Sequence, residues 1–233
     1  MEYGQYFEYR RISPADYVEF RIPKYLRSTL SAVKSPRILD FGCGFGQILL
    51  GLRADGFENV EGLDISQPAI DFCRSQGLVC HDGGDEAIFG QSKGQYDFVI
   101  LSHVIEHIEK SEIISVLAKV LSLLKPGGGL IVMVPNAQSN TGCYWAYEDF
   151  THHTMFTSGS LYYVLRSAGF SDVEFLDVDA IGEVSGFFKK LIKKALLNIY
   201  RANYVFWNRV TSSSIHKPSP MIFGYEIKAL ARR

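Results

Sequence analysis

The sequence predicts an α/β fold, a doubly wound parallel sheet covered on both faces by helices. Three observations carry that expectation. Apolar runs of strand length alternate with amphipathic runs of helical period through most of the chain. The first such run, "RILDF", opens directly onto three glycines, Gly42, Gly44 and Gly46. The 233 residues, 47% hydrophobic and 21% charged, match an ordinary globular composition and are enough for one sizeable core. A single domain over 1–233 is therefore expected.

The elements follow in order. An aromatic-rich region, 1–35, is expected to form an N-terminal cap, helical from Pro14 to about Val33. "RILDF" reads as a buried strand and "GQILLGLRADG" as a helix stopped by Gly56. "VEGLD" is a second strand. "SQPAIDFCRSQG" is a helix with Ser66 at its N-cap and Pro68 in its first turn. "LVCH" and "YDFVILS" are the third and fourth strands. "SEIISVLAKVLSLL" has helical period with Ser111 as its cap, and "KPGGG" stops it. "LIVMV" is a fifth strand, "SGSLYYVLRSAG" a helix, "VEFLDVD" a sixth strand, and "MIFGYEIKALA" a last strand returning to the sheet. Alternation of this kind argues for parallel pairing.

The segment 184–215 breaks the alternation. Phe188, Leu191, Ile192, Ala195 and Ile199 fall on one helical face, and Lys189, Lys190, Lys193, Lys194 and Arg201 toward the other. One expectation is a helix packed on the body with a solvated lysine face. The other is a lid, a dimer contact or a membrane-surface helix. Charge is divided in the same way. Residues 1–183 carry 14 Lys and Arg against 24 Asp and Glu, whereas 184–233 carry 10 against a single acid, Glu226. The acidic body argues against nucleic acid as a partner. The basic segment would suit an anionic glycan carrier or a membrane surface. "MEYGQYFEYRR" has no apolar stretch of signal-peptide type, and "GLIVMVP" is far too short to span a bilayer. Cys43, Cys73, Cys80 and Cys143 form no CxxC pair. Free thiols in a cytoplasmic protein are expected.

Glycines placed directly after a first strand let the backbone approach a ligand, and the next helix offers its N–H groups. Dinucleotide enzymes use GxGxxG there and seat a pyrophosphate on it. Here the spacing is GxGxG, and Asp40 stands two residues before the first glycine. A fixed negative charge at that point suits a cationic ligand end, such as an amino acid's ammonium. Asp64, closing "GLDIS", is placed to accept from both ribose hydroxyls, with Ile65 against a purine. An amino acid joined to a nucleoside describes S-adenosylmethionine.

From about residue 36 onward the chain resembles class I S-adenosylmethionine-dependent methyltransferases. "ILDFGCGFG" is similar to their glycine motif, "VEGLDIS" to their ribose-binding motif, "YDFVILSHVIEHI" to the fourth-strand motif and "LKPGGGLIVMVPN" to the fifth. The resemblance implies a Rossmann-like sheet of seven strands with an antiparallel last strand. It implies cofactor contacts from Asp40, Gly42, Cys43, Gly44, Gly46, Asp64, Ile65 and Ser102. An acid after the third strand would meet the adenine amino group, and Asp85 is assigned that place over Asp82 and Glu86.

Four of six histidines fall on two loops at the sheet's C-terminal edge, "SHVIEH" and "EDFTHHTMFT". His107 and His152 are candidate general bases, with Glu106 beside them. The alternative is a divalent metal on His103, Glu106, His107 and His152. It rests on a Glu-x-x-Glu-His motif of related metal-dependent O-methyltransferases, with His103 replacing the first carboxylate. The metal-free base is favoured. Tyr144, Trp145 and Tyr147, with Tyr3, Tyr6, Phe7 and Tyr9, are aromatic candidates for the acceptor site. The expected activity is O-methylation of a small molecule or saccharide, a sugar hydroxyl or glycan phosphate in surface-polysaccharide biosynthesis. The alternatives are a metal-dependent quinone or phenol O-methyltransferase and a non-catalytic cofactor-binding partner.

Overall fold

The computed structural model describes residues 20–85, 87–214 and 219–233. Its centre is one seven-stranded sheet in the order β3-β2-β1-β4-β5-β7-β6. The strands are β1 (Ile38–Phe41), β2 (Val60–Asp64), β3 (Val79–Asp82), β4 (Tyr96–Ser102), β5 (Leu124–Pro135), β6 (Asp172–Phe175) and β7 (Glu226–Arg232). β1 to β5 pair in parallel, while β7 runs antiparallel between β5 and β6. The helices are α1 (Lys24–Leu30), α2 (Gln47–Ala54), α3 (Gln67–Ser75), α4 (Ala87–Gln91), α5 (Ile113–Leu123), α6 (Gly142–Glu148), α7 (Ser158–Ser167) and α8 (Phe187–Val210).

Alternation along the strands builds two cores, one on each face. In β4, Val99 and Leu101 join Leu39, Leu117 and Leu165 on one side. Phe98 and Ile100 join Ile38, Leu49 and Ile131 on the other. Each such side chain contributes about 1.5–3 kcal/mol on burial. Chain order reverses at β1, which lies between β2 and β4, so a crevice opens beyond the C-terminal ends of β1 and β4. The β5–β7 register sets Glu226 opposite Pro135, at that same edge.

Several local expectations change. Among the described residues the first helix runs from Lys24 to Leu30, after Pro23 with an extended backbone at its N-cap. Residues 14–19 and the aromatic residues Tyr3, Tyr6, Phe7 and Tyr9 lie outside the described residues, as does Glu86. Ser66 occupies the N-cap of α3 as expected, but its side chain makes no cap bond. Thr157 does cap α7, through a reciprocal box with Ser160. The stretch carrying Tyr144, Trp145 and Tyr147 is helix α6 rather than loop.

The largest difference is α8. The apolar face named from the sequence is exposed, with Phe188, Leu191, Ile192 and Ile199 between 55% and 75% exposed, and none of the helix's 24 residues is buried. Tyr200 and Tyr204 instead hold it against Phe223, with ring centroids at 4.6 and 5.3 Å.

Candidate functional site

A cleft of about 710 Å³ opens at the crevice, lined by Asp40, Gly42, Asp64, Ile65, Ser102 and His107 among others. Asp40 ends the buried part of β1 and is 1% exposed. Burial, then the charges of Asp64 and Cys80, push its carboxyl up to about 8. Its Oδ1 has no hydrogen-bond partner among the described residues. The loop beyond turns on positive φ at Gly42, Gly44 and Gly46 (+79°, +51° and +77°). A Cβ on Gly42 would lie 2.5 Å from Val104 Cγ2, so any side chain there collides with the segment after β4. Gly46 does not line the cleft; it turns the chain into α2 as its N-cap.

Asp64 organises the loop from below. Its Oδ2 accepts from the Gly44 amide and its Oδ1 from the Ser66 amide, both at 2.8 Å. Burial raises its pKa, and these two amides oppose the rise. Ile65 projects beside it, 53% exposed. The Cys43 side chain points away beneath the loop, with its Sγ 3.6 Å from Cys80 Sγ; Cys73 Sγ donates to Gly44 O at 3.3 Å. All four cysteines are free thiols. Asp85 is not among the residues lining the cleft in the ligand-free protein. The chain turns away at the end of β3, where Gly83 N donates to Asp64 O and Gly84 N to Asp82 Oδ1. Gly83 takes the lining position instead.

The segment after β4 opens with His103 at φ +55°, a conformation few non-glycine residues adopt. That backbone turns its ring between two carboxylates, Nδ1 at 3.1 Å from Glu106 Oε1 and Nε2 at 2.9 Å from Glu226 Oε1. Burial opposes the charge, but the bonds to Glu106 and Glu226 outweigh it and raise the pKa to about 10. Both His103 nitrogens thus face carboxylates, and among the described residues the close group of possible metal ligands is Glu106, His107 and His152, without His103. Its loss could not be read from sequence, because Glu226 arrives 123 residues later on β7. The remaining three, Glu106, His107 and His152, keep ligand atoms within 4.8 Å of one another. Glu106 is fully buried, and its Oε2 has no partner among the described residues.

Of the three, only His107 lines the cleft. Its Nδ1 lies 2.7 Å from Thr151 Oγ1, which lies 2.6 Å from Asp149 Oδ1. A threonine hydroxyl has one proton. The Asp149 carboxylate takes it, so Thr151 accepts from His107 Nδ1–H and the imidazole lone pair resides on Nε2. Burial first, and the neighbouring His152, lower the His107 pKa against the pull of Glu106. That shift favours the neutral imidazole. His152 sits behind it, ring centroids 4.7 Å apart, and donates Nδ1–H to the Trp145 carbonyl at 2.8 Å. His153, not His152, lines the cleft. Asp149 and Thr151 escaped the sequence reading. The Asp-x-Thr spacing of an Asx turn, closed here by Thr151 N on Asp149 Oδ1 at 3.0 Å, was the available signal.

The family model described as "Methyltransferase domain" matches residues 6–174. The chain belongs to the methyltransferase domain family. No curated relative matches the sequence. Among solved structures, a SAM-dependent methyltransferase from Archaeoglobus fulgidus is similar at TM-score 0.65 and 21% identity, covering 100% of both chains. A possible histamine N-methyltransferase from Thermotoga maritima follows at 0.58 and 17%, covering 99% of this chain and 94% of that one. A phosphoethanolamine N-methyltransferase from Haemonchus contortus, in complex with S-adenosyl-L-methionine, scores 0.62 at 13%, covering 100% and 60%. At these identities the likeness shows the fold.

The S-adenosylmethionine cofactor expected of this methyltransferase is supported by the family and by the cleft itself. The orphaned Asp40 Oδ1 fits an ammonium, the glycine loop lines the cleft with Gly42 and Gly44, and Asp64 retains acceptor capacity at the cleft edge. A proton test follows from Asp40. Its folded pKa, about 8, stands above the unfolded carboxylate value of about 3.9. Its contribution to stability is thus fully present below about pH 3.9 and is lost as pH rises through about 8. Binding an ammonium there restores the carboxylate. S-adenosylhomocysteine binding at pH 7 should release about one proton, and affinity should rise roughly tenfold per pH unit below 8. Calorimetry in buffers of differing ionisation enthalpy measures both. Binding without proton release, or equal release by Asp40→Asn, would remove the ammonium from Asp40.

Proposed function

We propose that this methyltransferase carries out O-methylation of a hydroxylated small molecule or saccharide, with His107 as the general base. The bound cofactor supplies an electrophilic sulfonium methyl group. The chain's own residues must then align an acceptor and remove its proton. One observation supports the reading: His107 lines the cleft with its Nδ1 2.7 Å from Thr151 Oγ1, itself 2.6 Å from Asp149 Oδ1, a chain that would leave Nε2 as the proton-accepting nitrogen. The Asp149 carboxylate, reached through Thr151, favours the imidazolium that forms when His107 takes the proton. A base of this kind serves a hydroxyl. A glycan phosphate oxygen is already anionic and needs none, so the sugar hydroxyl is the preferred acceptor within surface-polysaccharide biosynthesis.

A second reading is favoured by the buried, unpartnered Glu106 Oε2. A divalent metal held by Glu106, His107 and His152 would lower a phenolic hydroxyl's pKa, and two imidazoles would prefer zinc, nickel or iron over magnesium. The deciding experiment is S-adenosylhomocysteine release by chelator-treated protein given nucleotide sugars, glycan phosphates and catechols, with and without added divalent metal. Release with a sugar in the absence of metal is the expected result. Release only with metal, strongest on a catechol, would replace the base with the metal.

A further inference from the structure

We propose that α8 is an interfacial helix that docks the protein onto an anionic lipid bilayer. The inference does not depend on the acceptor or on the role of His107. Its starting point is the side on which α8 is held. Tyr200 donates its hydroxyl to Gln138 O at 3.1 Å, Tyr200 and Tyr204 pack on Phe223, and Lys193 donates to Ala180 O. Those residues define the body-facing side of the helix.

The apolar residues recur on another side, at 188, 191, 192, 199, 206 and 210, the spacing of one helical face. Phe188, Leu191, Ile192, Ile199, Phe206 and Val210 are all between 55% and 75% exposed. A helix in water ordinarily turns such a face to the core; α8 turns it outward. Lys189, Lys194 and Arg209 flank this face, Lys190 stands opposite it, and Lys193 and Arg201 turn to the body, toward Ala180 O and Asp179. Lys189, Lys190, Lys193, Lys194, Arg201 and Arg209 give six positive charges, and the 24 residues contain no acid. Trp207, 55% exposed, adds an indole of the kind that sits at headgroup depth.

Length and polarity decide between lying on a membrane and crossing it. At 1.5 Å per residue α8 is about 36 Å long, yet no helix among the described residues is apolar enough to span. An amphipathic helix with an exposed apolar face, flanking lysines and no acids lies in the interface plane. Charge also selects the occupant. Two copies paired through this face would bring together eight cations not engaged with the body, four from each helix, with no acid on either helix. An anionic surface attracts the four cations not engaged with the body, Lys189, Lys190, Lys194 and Arg209, and accepts the apolar side chains.

The test is co-sedimentation of the full chain with vesicles of phosphatidylcholine alone and of an equimolar phosphatidylcholine–phosphatidylglycerol mixture. Binding to the anionic vesicles should be at least about tenfold stronger and should weaken with added salt. The triple variant Phe188→Ser, Ile192→Ser, Phe206→Ser should lose binding at low salt. The variant Lys189→Gln, Lys190→Gln, Lys194→Gln should lose the preference for anionic lipid. Both should bind S-adenosylhomocysteine like the unaltered protein, which shows that they fold. No vesicle binding by the unaltered protein overturns the inference, as does a serine variant that binds as well. A stable dimer by light scattering that the serine variant dissociates, without vesicle binding, would assign the face to a second copy.

Discussion

Replacing His107 by alanine should lower turnover by about 10²–10⁴ while leaving S-adenosylhomocysteine affinity within a few-fold of its original value. The asymmetry follows from where the ring stands. His107 touches the cleft, but the groups that suit the cofactor's ammonium and ribose, Asp40 and Asp64, are on β1 and β2. Loss of the ring therefore removes a proton acceptor rather than a binding contact. The pH profile of the unaltered enzyme should carry the same signature. Because burial lowers the His107 pKa below the ordinary histidine value of about 6.5, the acid limb should fall below that value, and turnover should stay flat above it. Thr151→Val breaks the link to Asp149 without touching the cleft. It should shift that limb and reduce turnover less than the alanine variant does, since the imidazole remains but its tautomer is no longer held. Full activity in His107→Ala with the best acceptor would clear this residue of catalysis. A limb that vanishes with chelation would point to the metal reading instead.

How much of this was legible beforehand depends on whether a contact is local in the chain. The strand "RILDF", the glycine spacing and the acid of "GLDIS" are short-range signals, and the structure brings Asp40, Gly42, Gly44 and Asp64 to one cleft. Periodicity also found the strands and the larger helices, because each buries a face that its own sequence spells out. What sequence could not supply is which distant side chain arrives at each polar group. His103 and Glu106 look like metal ligands three residues apart until β7 delivers Glu226 to the other ring nitrogen. The amphipathic pattern of α8 was plain. Its direction was not, because it depends on Phe223 meeting Tyr200 and Tyr204 rather than on the leucines and isoleucines that dominate the helix.

Asp64→Ala should have two effects with one cause. In the ligand-free protein this carboxylate accepts from Gly44 N and Ser66 N, one amide in the glycine loop and one at the start of α3. Hydrogen bonds to a charged group contribute about 1.5–3 kcal/mol each, and the amides they serve would be left unsatisfied. The variant should unfold at a lower temperature, and S-adenosylhomocysteine affinity should fall at least about tenfold. The affinity loss combines a missing ribose acceptor with a loop that no longer holds its shape. Asp64→Asn separates the two contributions. Its amide oxygen can keep one of the backbone bonds, so more of the folding stability returns, but it presents only one acceptor to a ribose diol and should stay weak in binding. Thermal unfolding and calorimetry on the same three proteins read both quantities. An asparagine variant that recovers stability and affinity together would mean that Asp64 shapes the loop and does not meet the ligand. An alanine variant with unchanged affinity would place the ribose elsewhere in the cleft.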